Sequence, residues 1–149
     1  MFSADGSAIA IGQQFSPYVA AYSWSGSGFG TKYSDPATLP AGNGRVVAFS
    51  PNGSAIAIGH NTSPFVSAYA WSTGLGFGTK YSDPATLPAN SGNSVAFNSD
   101  SSAIAVVHND TPFVDVYPWS TVSGFGTRYS NPSTLPAGNS DGVTFNTIN

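Results

Sequence analysis

The chain has 149 residues, a mass of 15.2 kDa, a formal net charge of −3 and charged side chains at only 7% of its positions. This length suits a single domain, and four basic residues are too few for the concentrated positive surface that nucleic acid requires. We expect no membrane partner, because no apolar run approaches the roughly 20 residues of a spanning helix, and the absence of cysteine excludes disulfide and thiol chemistry.

The sequence contains a repeated unit. A phenylalanine recurs at intervals of 47, 48 and 48 residues, at Phe2, Phe49, Phe97 and Phe145. A tryptophan lies 22 residues after each of the first three, at Trp24, Trp71 and Trp119. The segment FGTKYSDPATLPA occupies residues 29–41 and 77–89, and it returns with three substitutions at 125–137. A period in the forties predicts an all-β chain of propeller blades, each with four antiparallel strands.

The middle unit shows the predicted elements in chain order. We expect an inner strand, a tight turn, a buried second strand, a third strand with alternating faces, and an outer strand before a proline-rich return loop. These segments are residues 46–49, 50–53, 55–58, 65–71, 77–81 and 82–93. Applied to the whole chain, the pattern predicts blade 1 at about 2–45, blade 2 at 46–93, blade 3 at 94–141, and one further inner strand at 142–147.

The phrase VAFSPNGSAIAIG at residues 47–59 and the aromatic strand that ends in Trp71 resemble a WD-repeat blade. Two features depart from that pattern: no Gly-His precedes the inner strand, and serine follows each tryptophan where the family has aspartate. The SDPATLPAG style of the return loops also resembles repeats of phage-associated and marine propeller proteins. The resemblance implies a propeller, with the loops after the second and fourth strands of each blade on one face.

Three blades are fewer than the four to eight with which propellers usually close. The strand at 142–147 has the phase of the residues around Phe2, so we expect Val143 and Phe145 of one copy to complete the first blade of another. The prediction is a homodimer of six blades, with a homotrimer of nine blades as the alternative. A further alternative is that the chain is a fragment of a larger propeller.

The expected loop face supplies the candidate binding residues. They are Gln13, Gln14, His60, Asn61, His108, Asn109, Asp35, Asp83 and Asn131. His60 and His108 recur at one repeat position but lack the further ligands that a zinc site needs, so we expect loop histidines bonded to backbone and no metal or cofactor. Asp35, Asp83 and Asn131 are expected to start return loops as Asx turns.

The function predicted from the sequence is a non-catalytic binding or structural module that presents this face to a protein or glycan partner. A multivalent lectin and a fragment of a virion or surface repeat protein are the alternatives. An enzyme is not expected, because the three units differ only by scattered conservative changes and none has diverged around a site. An extracellular or virion-surface location is favoured over the cytoplasm.

Overall fold

The computed structural model describes residues 1–146, which form an all-β chain of three antiparallel sheets. The part of the chain that is described includes no helix able to cross a membrane. The strands are β1 (Ala8–Gly12), β2 (Val19–Ser25), β3 (Gly28–Lys32), β4 (Gly44–Phe49), β5 (Ala55–His60), β6 (Val66–Ser72), β7 (Gly76–Lys80), β8 (Ser94–Phe97), β9 (Ala103–Val107), β10 (Val114–Ser120) and β11 (Gly124–Phe125).

Each sheet is a meander in which consecutive strands pair, as the repeat predicts. Blade 2 has the order β4-β5-β6-β7 and blade 3 the order β8-β9-β10-β11. Blade 1 contains β1, β2 and β3, and only Phe2 pairs at its inner edge, through a bridge to Ile9. The outer strand β11 is shorter than β3 and β7, and Pro118, which has no backbone N–H, lies on the strand beside it.

The predicted inner strand at 142–147 is not formed over the described residues 142–146. Residue 147 lies outside the described residues. Val143 nonetheless lies beside the inner strand of blade 3, where its amide donates to Ser94 Oγ at 3.3 Å. A strand needs a ladder partner, and the blade that this segment would join is not part of the described chain.

The middle blade packs on both neighbours, because successive side chains of a strand point to opposite faces. Tyr69 and Trp71 of β6 belong to the core shared with blade 1. Val66 and Ala68 of the same strand belong to the core shared with blade 3. The predicted alternation of the third strand is therefore confirmed, and the fold contains two separate layers of core between three sheets.

An aromatic cluster stabilises the interface between blades 1 and 2. Trp71 is 5% exposed and makes edge-to-face contacts with Phe49, Phe77 and Tyr33, at ring-centre distances of 5.0, 5.2 and 5.1 Å. Tyr33 comes from blade 1, so this tryptophan joins two sheets. Trp119 has the same surroundings in blade 3. At these two positions the repeated tryptophan therefore packs between blades.

The end blades leave one face uncovered. Ile11 of blade 1 is 42% exposed, whereas its repeat equivalents Ile58 and Val106 are fully buried. At the opposite end, Pro132 is exposed although Pro36 and Pro84 are buried against the following blade. The local sequences are almost identical, so these residues are exposed because no described blade covers the outer faces of blades 1 and 3.

Candidate binding face

The loop face is built where the loop after each second strand meets the end of a return loop. The Gly44 amide donates to the Gln13 carbonyl at 3.0 Å, and the Gly92 amide donates to the His60 carbonyl at 3.1 Å. Between them, the Asn61 amide donates to Asn43. The first two bonds join the end of a return loop to the sheet before it, and the third extends the β4–β5 pairing of blade 2. The two loop types therefore lie side by side in the described residues.

The three loops have one backbone conformation. Each contains a cis-proline followed by an aromatic residue with positive φ, at Tyr18, Phe65 and Phe113. The amide of each aromatic residue closes the loop by donating to the carbonyl three residues earlier, at 2.8, 2.8 and 2.6 Å. Because the loops match in backbone, the residues at their tips occupy equivalent places on the face.

The tips differ in side chain. Gln14, Asn61 and Asn109 are exposed, as predicted for a binding face. The next position is Phe15 in blade 1, and its phenyl side chain is 76% exposed. The equivalents Thr62 and Asp110 are also exposed. Phe15 is not among the residues predicted from the sequence for this face. The signal is that this repeat position has an aromatic residue in blade 1, a hydroxyl residue in blade 2 and an acidic residue in blade 3.

The structure buries both histidines of the predicted face. His60 and His108 are fully buried, and their Nε2 atoms lie 3.0 Å from Ser67 Oγ and 2.9 Å from Asp115 Oδ2. The expectation that these two residues belong to the exposed binding face is therefore corrected, and their Nε2 atoms bond to side chains. The partner side chain comes from the next strand, seven residues on, and a single loop sequence does not show it. Among residues 1–146 no three potential metal ligands come together.

The acidic residues of the return loops form ion pairs. Asp35 pairs with Lys32 and Asp83 with Lys80, so their carboxylates accept from an ammonium group where Asx turns were predicted. Asn131 cannot pair in this way, and Arg128 of the same blade instead contacts the buried Asp115. Asp115 thereby accepts from both Arg128 and His108. The charges at the outer edge are thus mostly matched within each blade.

Replacing His60 by glutamine, the residue that blade 1 has at this position, should reduce acid sensitivity. Burial lowers the pKa of His60 below its ordinary value of about 6.5. The unfolded chain then binds a proton more readily, so stability is full above about pH 6.5 and falls as the pH decreases towards the folded pKa, by at most ~1.4 kcal/mol per pH unit. Urea unfolding between pH 7.5 and 5 should show a smaller loss for His60→Gln. An equal loss in both proteins would contradict this assignment.

Comparison with family models and with curated proteins returns no match. Comparison with solved structures shows similarity to a proposed 6-phosphogluconolactonase from Bacteroides fragilis, with a TM-score of 0.70 and 15% identity over 88% of this chain and 37% of that one. A second such protein, from Bacteroides uniformis, has a TM-score of 0.64 and 16% identity over 86% of this chain and 37% of its own. The WD40 repeats of RRP9 have a TM-score of 0.60 and 14% identity over 86% of this chain and 36% of that structure.

At these identities the similarity defines the fold alone: the chain is made of propeller-like blades. It spans less than two fifths of the length of each of these three structures. The resemblance to WD repeats is confirmed at the level of the fold. The resemblance to phage-associated and marine repeats stays a prediction.

Proposed function

We propose that the chain is a non-catalytic binding scaffold and that its loop face binds a protein partner. Phe15 carries this proposal, because its phenyl side chain is 76% exposed at a loop tip where the other two blades have the polar residues Thr62 and Asp110. Aromatic anchors surrounded by polar groups are typical of the centre of protein interfaces. The exposed Gln14 and Asn61 supply such a polar surround.

The pairing of charged groups supports a role without catalysis. Two of the similar structures are named for a lactonase activity, but their identity to this chain is 15% and 16%. Here the buried Asp115 is bonded to Arg128 and His108, and Lys80 is bonded to Asp83. Asp115 and His108 are also buried, whereas a reacting group would need an open position beside a substrate.

We further propose that a second copy of the chain covers the open faces and closes a six-bladed ring. Tyr33 and Tyr81 each pack on the tryptophan of the next blade, and their hydroxyls donate to the carbonyls of Thr73 and Thr121 at 2.7 and 3.0 Å. Tyr129 is their repeat equivalent, and it is 53% exposed.

The complementary surface lies on blade 1. The tyrosines of the inner interfaces also pack against Gly76 and Gly124, where an added Cβ would lie 2.9–3.0 Å from the ring. The equivalent Gly28 has no atom within 4 Å of such a Cβ, and Trp24 beside it is partly exposed. Tyr129 of a second copy would therefore find at blade 1 the glycine and tryptophan that its equivalents occupy within the chain.

Replacing Phe15 by threonine, the residue at this position in blade 2, should remove partner binding. Loss of a central aromatic anchor typically costs at least about 2 kcal/mol, or roughly 30-fold in affinity. The immobilised chain is exposed to extract of the cells that encode it, and captured proteins are identified and then titrated. Val122→Thr is the matched control, because Val122 is 94% exposed on the outer hairpin of blade 3.

A protein bound by the wild type and by Val122→Thr but lost with Phe15→Thr would support the proposal. Equal capture by all three proteins would contradict it.

A further inference from the structure

A cleft of about 390 Å³ opens on the face opposite the loop face. It lies between two turns of neighbouring blades, one at residues 3–5 and the other at 51–53, with Trp71 and Thr73 also in its lining. These turns precede β1 and β5, whereas the candidate binding loops follow the same strands, so the two sites are at opposite ends of the blades. The volume is within the range of about 300–1,000 Å³ that small-molecule sites occupy.

One residue beside the cleft differs between repeats, and it changes how the two turns are joined. At the interface of blades 2 and 3, Ser101 Oγ accepts a hydrogen bond of 3.1 Å from the Asn52 amide and joins the two turns. Its equivalent in blade 2 is Gly53, which has open space where a Cβ would be. At the interface of blades 1 and 2, the backbone amide of Asp5 corresponds to that of Asn52. It faces Gly53, which has no hydroxyl to accept its hydrogen bond.

The polar groups of the two turns retain unused hydrogen-bonding capacity. Ser3 Oγ and the Ser7 amide both donate to Oδ1 of Asp5, at 2.7 and 3.0 Å, and no described residue donates to Oδ2. The bond from Ser3 lowers the pKa of this carboxyl, so it is ionised at neutral pH. Asn52 uses Oδ1 to accept from Ser50 and Ser54, and its side-chain Nδ2 donates to none of the described residues.

We propose that this cleft binds a neutral sugar, with Asp5 accepting from ligand hydroxyls and Asn52 donating to them. A hydroxyl group both donates and accepts, so a polyol matches a site that combines a carboxylate with an amide. An anionic ligand would be repelled by Asp5. Part of the lining is apolar and can contact the C–H groups of a sugar ring.

The proposal predicts a single site in the chain and is independent of the loop face. Asp100 is the repeat equivalent of Asp5, but at the interface between blades 2 and 3 it lies where Asn52 lies in the cleft, and Ser101 and Asn52 are already bonded to each other there. The same substitution at Asp5 and at Asp100 should therefore have different effects on binding.

The test titrates the 149-residue protein with glucose, galactose, mannose and N-acetylglucosamine, followed by saturation-transfer NMR of the sugar and by tryptophan fluorescence. Asp5→Asn should weaken binding at least about tenfold through loss of the charged acceptor. Asp100→Asn is the matched control and should leave binding unchanged. Blade 2 has Asn52 at this position, so both variants should fold.

Gly53→Ser provides a second, independent variant, because blade 3 accommodates serine at this position with positive φ. It should join the two turns, obstruct the space between them and abolish binding while the unfolding midpoint stays the same or rises. Phe15→Thr should retain sugar binding. The proposal is overturned if no sugar gives a saturable signal, if Asp5→Asn and Asp100→Asn behave alike, if Gly53→Ser binds normally, or if Phe15→Thr loses the signal.

Discussion

Replacing Asp115 by alanine should destabilise the chain by about 3–5 kcal/mol, the usual cost of removing one partner from a buried ion pair. Asp115 is 1% exposed, and it accepts hydrogen bonds from both His108 and Arg128. Without it, the fully buried His108 keeps no acceptor at Nε2, and Arg128 loses its carboxylate. Denaturant unfolding monitored by tryptophan fluorescence measures the change.

The repeat supplies a matched control for this prediction. The triple variant Asp115→Ser, Arg128→Lys and Asn131→Asp gives blade 3 the residues that blade 2 has at Ser67, Lys80 and Asp83. Blade 2 satisfies its histidine with serine and pairs its lysine with the return loop. The triple variant should therefore recover most of the lost stability. A loss below about 1 kcal/mol in Asp115→Ala would show that the group contributes little.

The solution mass of the 149-residue chain should be twice its 15.2 kDa, as measured by light scattering after size exclusion. Each copy would bury the exposed Tyr129 and Ile11 of the open faces, and a closed ring leaves no unpaired blade face. Three times the chain mass would indicate nine blades in place of six. A chain that stays monomeric at all concentrations would overturn closure by a second copy.

Two sets of variants locate the contact. Tyr129→Ser should give a monomer, because it removes the phenol side chain that would pack on the tryptophan and glycine of blade 1 in the other copy. The double change Val143→Asp and Phe145→Asp should do the same if the segment at 142–147 completes that blade. Leu75→Ser is the control, since Leu75 is 86% exposed on the β6–β7 hairpin of the middle blade, and it should remain dimeric. An unchanged mass in Tyr129→Ser would place the contact elsewhere.

The blade pattern could be predicted because its signals are local and occur three times. The spacing of Phe49 and Trp71 and the period of two in β6 indicate strands whatever the rest of the chain does. The turn residues are similar: the side chains of Asp5, Asn52 and Asp100 each accept from the backbone amide two residues on, as their turns predict. Short-range geometry is sufficient for both.

The roles of the polar residues were harder to predict, because they depend on which strand lies opposite. His60 looks like a loop residue until β6 places Ser67 beside it. Arg128 looks like a solvent-exposed edge cation until Asn131 and Asp115 are seen to have changed together in the same blade. Comparison of the repeats could have indicated this pairing, because Ser67, Lys80 and Asp83 of blade 2 are all replaced in blade 3, by Asp115, Arg128 and Asn131.

The sequence by itself determined that this chain forms three all-β blades, because periodicity and turn chemistry act over a few residues and three copies agree. Only the tertiary structure decided which residues are available to bind. It buried both histidines, exposed Phe15 and opened a cleft between the turns of Asp5 and Gly53. Accessibility depends on contacts between blades almost 50 residues apart, and a glycine in place of serine at such a contact leaves two turns without the hydrogen bond that joins their equivalents.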